Sequence, residues 1–574
     1  MTATAEFPVS GSAVPAPRPG SILMTPARLA AIQPSRVSGA RAFMNKMVRE
    51  RWDISVQRFD IDKSAAGTFV YSIKSPDCEF SFIGFSFPPS RTARTGRIIG
   101  RAWDMMGTLN EGPATEADIE SARVELPKLY SGRATPNALI WCRSNRSMRV
   151  FDQTLAALAD GNQPEISALS EVCYLMRNTG LDGNGTFGTR SFPSLGADHP
   201  LGGVLQAQLL TAYLMREYSC DLVEHLASLK SDKAVKIDPT TRRFLGVGNG
   251  SALGLIFFIQ KHPRLINALL TARENAIAKA RALAVEKGDD RVAQLLELVQ
   301  RAIVFRQQDK MVYEAFTSSQ QIAADLQQVA QALDALRQTG LVNGERASYP
   351  LDALAQHFDD TLSPEAGEIF LSLLVELVPD MVDDAIRAID APDEFTVQAS
   401  EKACDLLTLV RRDYGWALEA DMAHPHAYRY VWYKSETAEE PRRGARDEVP
   451  DALDLGLDIC GGVQKLAADL EASPADLTLA RFLMKHPQHR HLVARIQSLR
   501  GLTYHTPHAN INAEAFVPID LVRLMNVGIH GIDKTRDFLN RNLRGVLYHG
   551  APTPQDIRAG YTGTWFYPAE PATA

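Results

Sequence analysis

Three short segments near the N-terminus decide the first part of the fold: DISVQRFDI (Asp53–Ile61), GTFVYSI (Gly67–Ile73) and EFSFIGFSF (Glu79–Phe87). Each alternates apolar and polar residues, which is the period of a half-buried β-strand. The intervening stretches, 63–67 and 74–78, have the composition of turns. The three segments therefore predict an antiparallel meander of three strands.

The segments that follow extend this unit and then change its period. A helix is predicted over about Thr95–Leu109, and the apolar run ALIWC (Ala138–Cys142) predicts a further strand. Together with the meander they indicate an α+β unit. Beyond residue 150 the apolar positions take a helical spacing, which is clearest from Val292 to Ile303, where they recur at steps of three and four. This part of the chain predicts a bundle of helices.

Helix boundaries are marked by capping residues and by turns. Three predicted starts place a capping hydroxyl directly before proline: Ser363-Pro364, Ser473-Pro474 and Thr553-Pro554. Turns at 287–290 and 339–340 bound long amphipathic helices. The predicted helical segments are 263–339, 364–389, 394–417, 451–471, 475–487 and 518–543.

The predicted fold class is α+β, predominantly α-helical, with a small antiparallel-sheet N-terminal unit followed by a large helical bundle region. Residues 1–22 are rich in Pro, Ala, Ser and Gly, which predicts a disordered lead or a segment that threads onto a partner subunit. The other predicted domains are an α+β unit at 35–148, a helical domain with glycine-rich loops at 150–345, and a helical, histidine-rich domain at 350–570.

The composition is that of an ordinary globular protein. Of the 574 residues, 45% are hydrophobic and 22% are charged, which excludes a mostly disordered chain, a collagen-like repeat and a small disulfide-stapled scaffold. Arginine outnumbers lysine by 45 to 16, a bias typical of a GC-rich, bacterial-like genome. The net charge of −7 provides no overall positive field for nucleic acid or an anionic membrane. We therefore expect neither as a partner, and a homo-oligomer is compatible with the sequence.

The cysteines are widely separated in the sequence: Cys78, Cys142, Cys173, Cys220, Cys404 and Cys460. No two of them have the spacing of a thiolate zinc knuckle or a CxxC redox pair. Sparse thiols fit a reducing compartment. The first residues also lack the basic start and the apolar run of a secretory signal. The predicted location is the cytoplasm.

Two glycine-rich segments share the pattern Gly-Asn-Gly followed by a hydroxyl residue. The first contains Asn184, and the second runs from Gly248 to Gly254. Glycine permits positive φ and leaves backbone amides open to an anion, and Arg242 and Arg243 precede the second segment. Neither segment has the spacing of a Rossmann fingerprint or a P-loop. The alternatives are an anion-binding loop and a pair of structural Asn-Gly turns.

Histidine is concentrated in the C-terminal part of the chain, where nine of the thirteen histidines lie between His424 and His549. Imidazole titrates near neutral pH and ligates zinc, iron, copper or nickel. The region therefore predicts acid/base catalysis or a metal site, against the alternative of no chemical role. A metal site requires about three of these side chains to converge, with a carboxylate as a further ligand. The histidine groups are His424/His426, His486/His489/His491 and His505/His508, and the candidate carboxylates are Glu419, Asp421 and Asp520.

A segment dense in aromatic and hydroxyl side chains, Tyr428–Glu436, follows the first histidine group. It is either a buried aromatic strand or a source of proton donors whose pKa values burial would shift. Under the second interpretation, Tyr430, Tyr433 and Lys434 transfer protons together with a histidine.

The leading functional hypothesis is a cytoplasmic enzyme that uses general acid/base chemistry, of lyase, isomerase or hydrolase type, on a small anionic metabolite bearing a carboxylate or phosphate. The predicted catalytic residues are His424, His426, Tyr430, Tyr433, Lys434, His505 and His508. The predicted substrate-binding residues are Arg242, Arg243, Gly248, Asn249, Gly250, Ser251 and Asn184. One alternative is a histidine-ligated metalloenzyme with a divalent metal cofactor. The other is a non-catalytic helical scaffold or oligomeric interaction protein, because fold class does not settle function.

Overall fold

The computed structural model describes residues 14–88, 103–147, 149–182, 195–196, 198–203, 205–249, 263–308, 317–390, 396–424, 431–434, 442–443, 455–505, 523–525, 528–530, 544–561, 565 and 567. Over these residues the chain forms a large sheet covered by helices, together with a smaller helical cluster near the C-terminus. This arrangement confirms the predicted α+β, predominantly helical fold class.

The described strands are β1 Asp53–Ile61, β2 Gly67–Lys74, β3 Glu79–Ser86, β4 Met105–Glu111, β5 Ala138–Arg146, β6 Tyr174–Asp182, β7 Gly246–Asn249, β8 Val431–Lys434, β9 Arg442–Arg443, β10 Leu455–Asp458, β11 Gly528–His530 and β12 Arg544–Leu547. Nine of them form one sheet in the order β1-β2-β3-β4-β5-β6-β7-β12-β11, and β10-β8-β9 form a second. In the large sheet β6 and β7 run parallel, and the other recorded pairs are antiparallel.

The described helices are α1 Gly20–Leu23, α2 Pro26–Ala31, α3 Gly39–Arg49, α4 Glu116–Glu125, α5 Val150–Ala159, α6 Ile166–Val172, α7 Gln206–Lys230, α8 Pro239–Phe244, α9 Pro263–Arg281, α10 Asp290–Gln307, α11 Ser319–Thr339, α12 Pro350–Thr361, α13 Pro364–Leu374, α14 Val382–Asp390, α15 Ala403–Asp413, α16 Gly415–Leu418, α17 Ile459–Glu471, α18 Leu479–Lys485, α19 Arg490–Leu499 and α20 Pro554–Ala559. Among the helices that the structure describes, none is both long enough and apolar enough to cross a membrane.

The predicted meander is confirmed as β1, β2 and β3, with bounds within one residue of those expected. The fifth strand, β5, begins at Ala138 as the apolar run predicted. In β3, Gly84 lies opposite Phe69 of β2, and a Cβ at this position would collide with the Phe69 ring. Glycine is therefore required at this position, because the Phe69 ring occupies the space that a side chain would fill.

The helix predicted over Thr95–Leu109 is wrong at its C-terminal end, because Met105–Glu111 form β4. Residues 89–102 lie outside the described residues. Strand β4 pairs with β3 on one side and β5 on the other, and six of its seven residues are buried. Its sequence, MMGTLNE, lacks the regular alternation of apolar and polar residues that identifies β1–β3, so it gave no signal of a strand.

The long helices are confirmed. Helices α9, α10 and α11 lie within 263–339, and α11 is followed by Gly340, whose φ of 75° is the left-handed conformation that glycine adopts without strain. Ser363 and Thr553 cap α13 and α20 through their side-chain oxygens, as predicted. The segment 364–389 is divided into α13 and α14 by short 3-10 turns at Val375–Leu377 and Pro379–Met381.

Four other boundaries in the helical region differ from prediction. Helix α15 begins only at Ala403, and residues 455–458 of the segment 451–471 form β10. Ser473-Pro474 begins a turn, and the following helix α18 starts at Leu479. Residues 528–530 form β11 within a segment predicted to be helical, although most of 518–543 lies outside the described residues. Pairing with distant strands overrides the local helical pattern in both strand cases.

The largest hydrophobic core extends from one face of the nine-stranded sheet, where α7 covers it, into the helices α9–α14. Eighteen of the twenty-five residues of α7 are buried, and Tyr218 stacks on Phe69 with ring centroids 3.9 Å apart. A second core on the other face packs α4 against Val70 and Ile83. A third core belongs to α15–α19, near the C-terminus, and it supports the site described next.

Candidate metal centre

Asp469, His486 and His489 are brought together where three helices meet. Asp469 lies in the last turn of α17, and His486 follows the end of α18. A short 3-10 turn, Pro487–His489, then leads directly into α19. Because the connection between α18 and α19 is only a few residues long, both histidines are held at the same end of the helical cluster as Asp469.

The two histidines contact the same carboxylate oxygen. His489 Nε2 lies 2.7 Å from Asp469 Oδ2, and His486 Nδ1 lies 3.3 Å from that atom. One nitrogen from each histidine and a carboxylate oxygen all lie within 4.8 Å of one another. The side chain of His489 is 5% exposed, whereas those of His486 and Asp469 are 27% and 36% exposed. The group is therefore anchored on one side and open to solvent on the other.

The ring of Phe482 packs against both histidines of this group. It is fully buried, and its ring stacks on His486 with centroids 4.9 Å apart and on His489 at 5.9 Å. Both imidazoles are therefore restrained in the plane that aims one nitrogen at Asp469. An apolar layer behind a set of ligands also lowers the local dielectric, which strengthens electrostatic contacts on the ligand side.

The spacing of the three side chains matches the coordination sphere of a small transition-metal ion. Metal–ligand bonds of about 2.0–2.1 Å at a tetrahedral angle place two ligand atoms about 3.3 Å apart. His486 already has this separation from Asp469 Oδ2, while His489 is 2.7 Å away in a hydrogen bond. An outward movement of about 0.6 Å would admit an ion.

The charge distribution favours an ionised carboxylate. The hydrogen bond from His489 is the main cause that holds the pKa of Asp469 below its usual value, and the charge of His486 adds to it. Within the described part of the chain, neither His489 Nδ1 nor His486 Nε2 accepts or donates a hydrogen bond. Each ring can therefore carry its proton on the outer nitrogen while the inner one ligates a metal ion.

A second group of ligand-type side chains, Cys78, Glu111 and His199, lies at one end of the large sheet. Its chemistry is less suited to a metal. The Leu201 amide donates to His199 Nδ1 at 3.0 Å, which leaves the ring proton on Nε2, the nitrogen 3.7 Å from Glu111 Oε1. Burial, and then the charges of Glu111 and Asp77, raise the pKa of the Cys78 thiol and disfavour the thiolate that binds metals.

The predicted anion-binding arginines are engaged with carboxylates. Arg242 donates to Glu217 at 2.8 Å and to Asp221 at 2.7 Å. Arg243 makes a two-pronged contact with Asp556 at 2.8 and 2.9 Å. In this arrangement both guanidinium groups serve contacts between helices, and an anion-binding role for either of them stays a prediction.

The glycine-rich segments are only partly described. Gly248 and Asn249 belong to β7, where Gly248 lies opposite Val546 of β12, so the second segment starts as a strand and not as a loop. The ring of Tyr174 covers Gly248, which leaves no space for a Cβ. Three predicted substrate-binding residues lie outside the described residues: Gly250, Ser251 and Asn184.

The predicted catalytic residues are not brought together in the part that is described. His424 is exposed, and His505 is buried at 8% exposure beside Tyr504. Tyr433 and Lys434 lie on β8 of the smaller sheet, where they pair with β10. The remaining catalytic candidates lie outside the described residues: His426, Tyr430 and His508.

Asp469 is the ligand that sequence reasoning missed. The carboxylates considered were Glu419 and Asp421, which do not join the histidines, and Asp520, which lies outside the described residues. Asp469 is separated from His486 by a turn and a whole helix, so no sequence spacing indicates their contact. The available signal was an acidic side chain in the last turn of α17, where a carboxylate is unfavourable beside the negative end of the helix dipole and therefore gains from a cationic partner.

A comparison with protein families, with curated proteins and with solved structures finds no match for this chain. The functional argument therefore depends on the chemistry of the site itself.

Proposed function

We propose that this protein binds a divalent transition-metal ion through Asp469, His486 and His489 and uses the ion as a Lewis acid toward a small anionic metabolite. The observation that carries the proposal is the convergence of two imidazole nitrogens on one carboxylate oxygen, with the three ligand atoms within 4.8 Å. The hypothesis of a histidine-ligated metalloenzyme therefore has a concrete ligand set.

The donor set selects the class of metal. Two imidazoles and one carboxylate suit zinc or iron(II), and three protein ligands leave positions for water or substrate. The exposed edges of His486 and Asp469 lie on the solvent side, so a metabolite has access to those positions. A metal ion there would polarise a carbonyl or phosphoryl oxygen and attract a carboxylate or phosphate group.

The direct test measures metal content by plasma mass spectrometry on the full chain purified without chelator, together with calorimetric titration of Zn²⁺ into the stripped protein. We expect about one ion per chain. Asp469→Asn keeps the size of the side chain but removes its charge, and it should weaken binding by at least about tenfold.

His491→Ala is the matched control, because His491 belongs to the same histidine group in the sequence but is not part of the three-ligand cluster. It should retain the metal. The proposal would be refuted if the wild-type chain had no affinity for the metal, or if His491→Ala and Asp469→Asn lost equal metal affinity.

A metal-free acid/base enzyme is a second candidate, and one observation favours it. Burial raises the pKa of Glu224, which lies beside Arg242 and Asp221. The Tyr71 hydroxyl donates to Asp221 at 2.6 Å, so a carboxyl with a raised pKa stands close to a chain of proton-bearing groups. Three acidic side chains of α7 surround Arg242, which favours a neutral or cationic substrate there.

The two candidates respond oppositely to chelation. Turnover of small phosphates, carboxylates or amines that survives a chelator and disappears in Glu224→Gln supports acid/base catalysis. Turnover that disappears on chelation and returns with Zn²⁺ or Fe²⁺ supports the metal centre and rules out the second candidate for that reaction.

The cellular setting is part of the proposal. None of the six cysteines, all of which lie among the described residues, forms a disulfide bond, and this supports the proposal of a reducing, cytoplasmic location. A homo-oligomer is also proposed, and sedimentation of the purified chain would measure its state.

A further inference from the structure

Residues 14–22, here called the N-terminal strap, lie against the body of the protein with almost no apolar burial. Every residue of the strap is at least partly exposed, and Val14 and Ile22 are 68% and 41% exposed. The first buried side chain along the described chain is Leu23. Apolar burial therefore contributes little to the attachment of the strap.

The strap is instead anchored by one guanidinium group. Arg18 donates from Nε and from one terminal nitrogen to the two oxygens of Glu274, both at 2.8 Å. It also donates to the two oxygens of Glu368 at 2.5 and 3.2 Å. The Arg18 side chain is 10% exposed, and both glutamate side chains are fully buried. Such a planar, two-sided fork is the geometry in which guanidinium binds carboxylates most strongly.

The two glutamates need a second cation. Arg273 donates to Glu274 at 2.9 Å and to Glu368 at 2.8 Å, on one oxygen of each carboxylate that Arg18 also contacts. Without Arg18, two buried carboxylates would face this single arginine, and an uncompensated buried charge is costly. Arg28 is 3.7 Å from Glu368 and is already paired with Asp359. Without Arg18 the two carboxylates would therefore bind one more cation, and their arrangement fits a guanidinium group.

The backbone of the strap is held at two further points. The Tyr504 hydroxyl donates to the Arg18 carbonyl oxygen at 2.5 Å. Gly20 lies so close to the Thr503 carbonyl that a Cβ at this position would collide with it. Both contacts orient the strap along residues 503–504 and direct Arg18 into the pocket.

We infer that Glu274 and Glu368 form a guanidinium-binding site, which Arg18 fills in cis and which accepts an external guanidino compound or an arginine side chain when the strap leaves. The ligand class follows from the four donor contacts in one fork, because an ammonium group is a point charge that cannot reproduce them. This site shares no residue with the metal centre, so it stands or falls independently of the proposed function.

The test uses the full chain carrying Arg18→Ala and follows its thermal transition. Millimolar methylguanidinium should raise the Tm of this variant by about 1–2 °C, whereas methylammonium at equal ionic strength should not. Wild-type protein should show no such increase, because the tethered Arg18 outcompetes a dilute ligand. Equal effects of the two cations, or no effect of either, would overturn the inference.

Hydrogen exchange gives a second readout. Amides of residues 19–24 should exchange about tenfold faster or more in Arg18→Ala than in the wild type. Arg28→Ala is the matched control, since it removes an arginine of the same network but leaves the occupant of the pocket. It should neither release the strap nor respond to methylguanidinium. If Arg18→Ala does not fold, Arg18→Lys keeps the charge but loses the fork, and it should show the same pattern more weakly. Unchanged exchange of the strap in a folded variant would contradict the anchoring role of Arg18.

Discussion

Two clusters of charged side chains differ in how completely they are satisfied. Around Arg216 on α7, every N–H of the guanidinium has an acceptor, and the side chain is fully buried. Its acceptors are Glu217 and the backbone carbonyls of Leu245, Arg242, Arg243, Ala551 and Pro552. This cluster joins α7 to the chain before β7 and to the chain after β12. Every guanidinium N–H is already used within the protein, so the arginine has no donor left for a ligand.

The cluster of Asp469, His486 and His489 is unsaturated by the same criterion. Two imidazoles share one carboxylate oxygen, and more than a third of the Asp469 side chain is exposed. The difference teaches that strong charge alone does not indicate function. Saturation by backbone carbonyls marks a structural centre, whereas unused lone pairs at an open edge mark a site that can take up a ligand.

The largest expected effect comes from breaking the saturated cluster. Arg216→Ala removes all six contacts and leaves Glu217 buried, which should destabilise the protein by about 3–5 kcal/mol. Urea denaturation followed by circular dichroism would measure this loss. Arg558→Ala, at a side chain that is 52% exposed, serves as the control and should be nearly neutral. An Arg216→Ala variant with the same free energy of unfolding as the wild type would show that a fully hydrogen-bonded guanidinium is not a mark of structural importance.

The unsaturated cluster should respond to a metal where the saturated one cannot. Zn²⁺ at about one hundred times its Kd should stabilise the wild type by about 2.7 kcal/mol. In Asp469→Asn a Kd at least about tenfold weaker should reduce this gain to about 1.4 kcal/mol or less, while the metal-free stability should change much less. Thermal scans with and without Zn²⁺ give both values. An equal gain in the variant would assign the stabilisation to other sites.

His505 tests whether a buried histidine outside the metal cluster has a structural or a catalytic role. Its 8% exposure and its place next to Tyr504, which holds the strap, predict that His505→Ala lowers stability by about 1–2 kcal/mol. Turnover, once a substrate is known, separates the two roles. A variant that loses turnover but keeps its Tm would place His505 among the catalytic residues.

The smallest effect is a dependence on pH. The contacts with His489 and His486 lower the folded-state pKa of Asp469 below its usual value of 3.8. A lowered carboxylate pKa contributes stability that is present above about pH 4 and is lost as the pH falls through the folded value. The contribution is small because solvent screens an exposed pair. In an acid titration the stability difference between the wild type and Asp469→Asn should therefore be present above about pH 4 and should vanish as the pH falls through the folded pKa of Asp469, and a difference that persists unchanged at the lowest pH would contradict this assignment.

The sequence predicted those elements whose period is set locally. The meander and α9–α11 carry their own signal: β1 and the helices bury one face and expose the other, and β2 and β3 alternate apolar and polar residues although nearly all of these are buried. Strand β4 was missed because its sequence, MMGTLNE, lacks that regular alternation. The short strands β7, β11 and β12 were missed because only their pairing across the chain makes them strands.

The candidate site was predictable to a similar extent. The density of histidine pointed to the right region, and His486 and His489 were in a recognised group. The choice of carboxylate depends on which helix end meets the turn after α18, and that is a property of tertiary packing. Arg242 and Arg243 appeared available in the sequence, because their carboxylate partners on α7 and α20 are distant along the chain.

The Arg216 cluster also determines when the protein can finish folding. Strand β7 is paired by β12, which follows it by roughly 300 residues, and two of the Arg216 acceptors, Ala551 and Pro552, come later still. A ribosome adding 5–20 residues per second needs about 15–60 s to cover that distance. During this time the nascent chain carries an open sheet edge and an arginine that lacks two of its acceptors, so the sheet is completed only after the residues around β12 are synthesised.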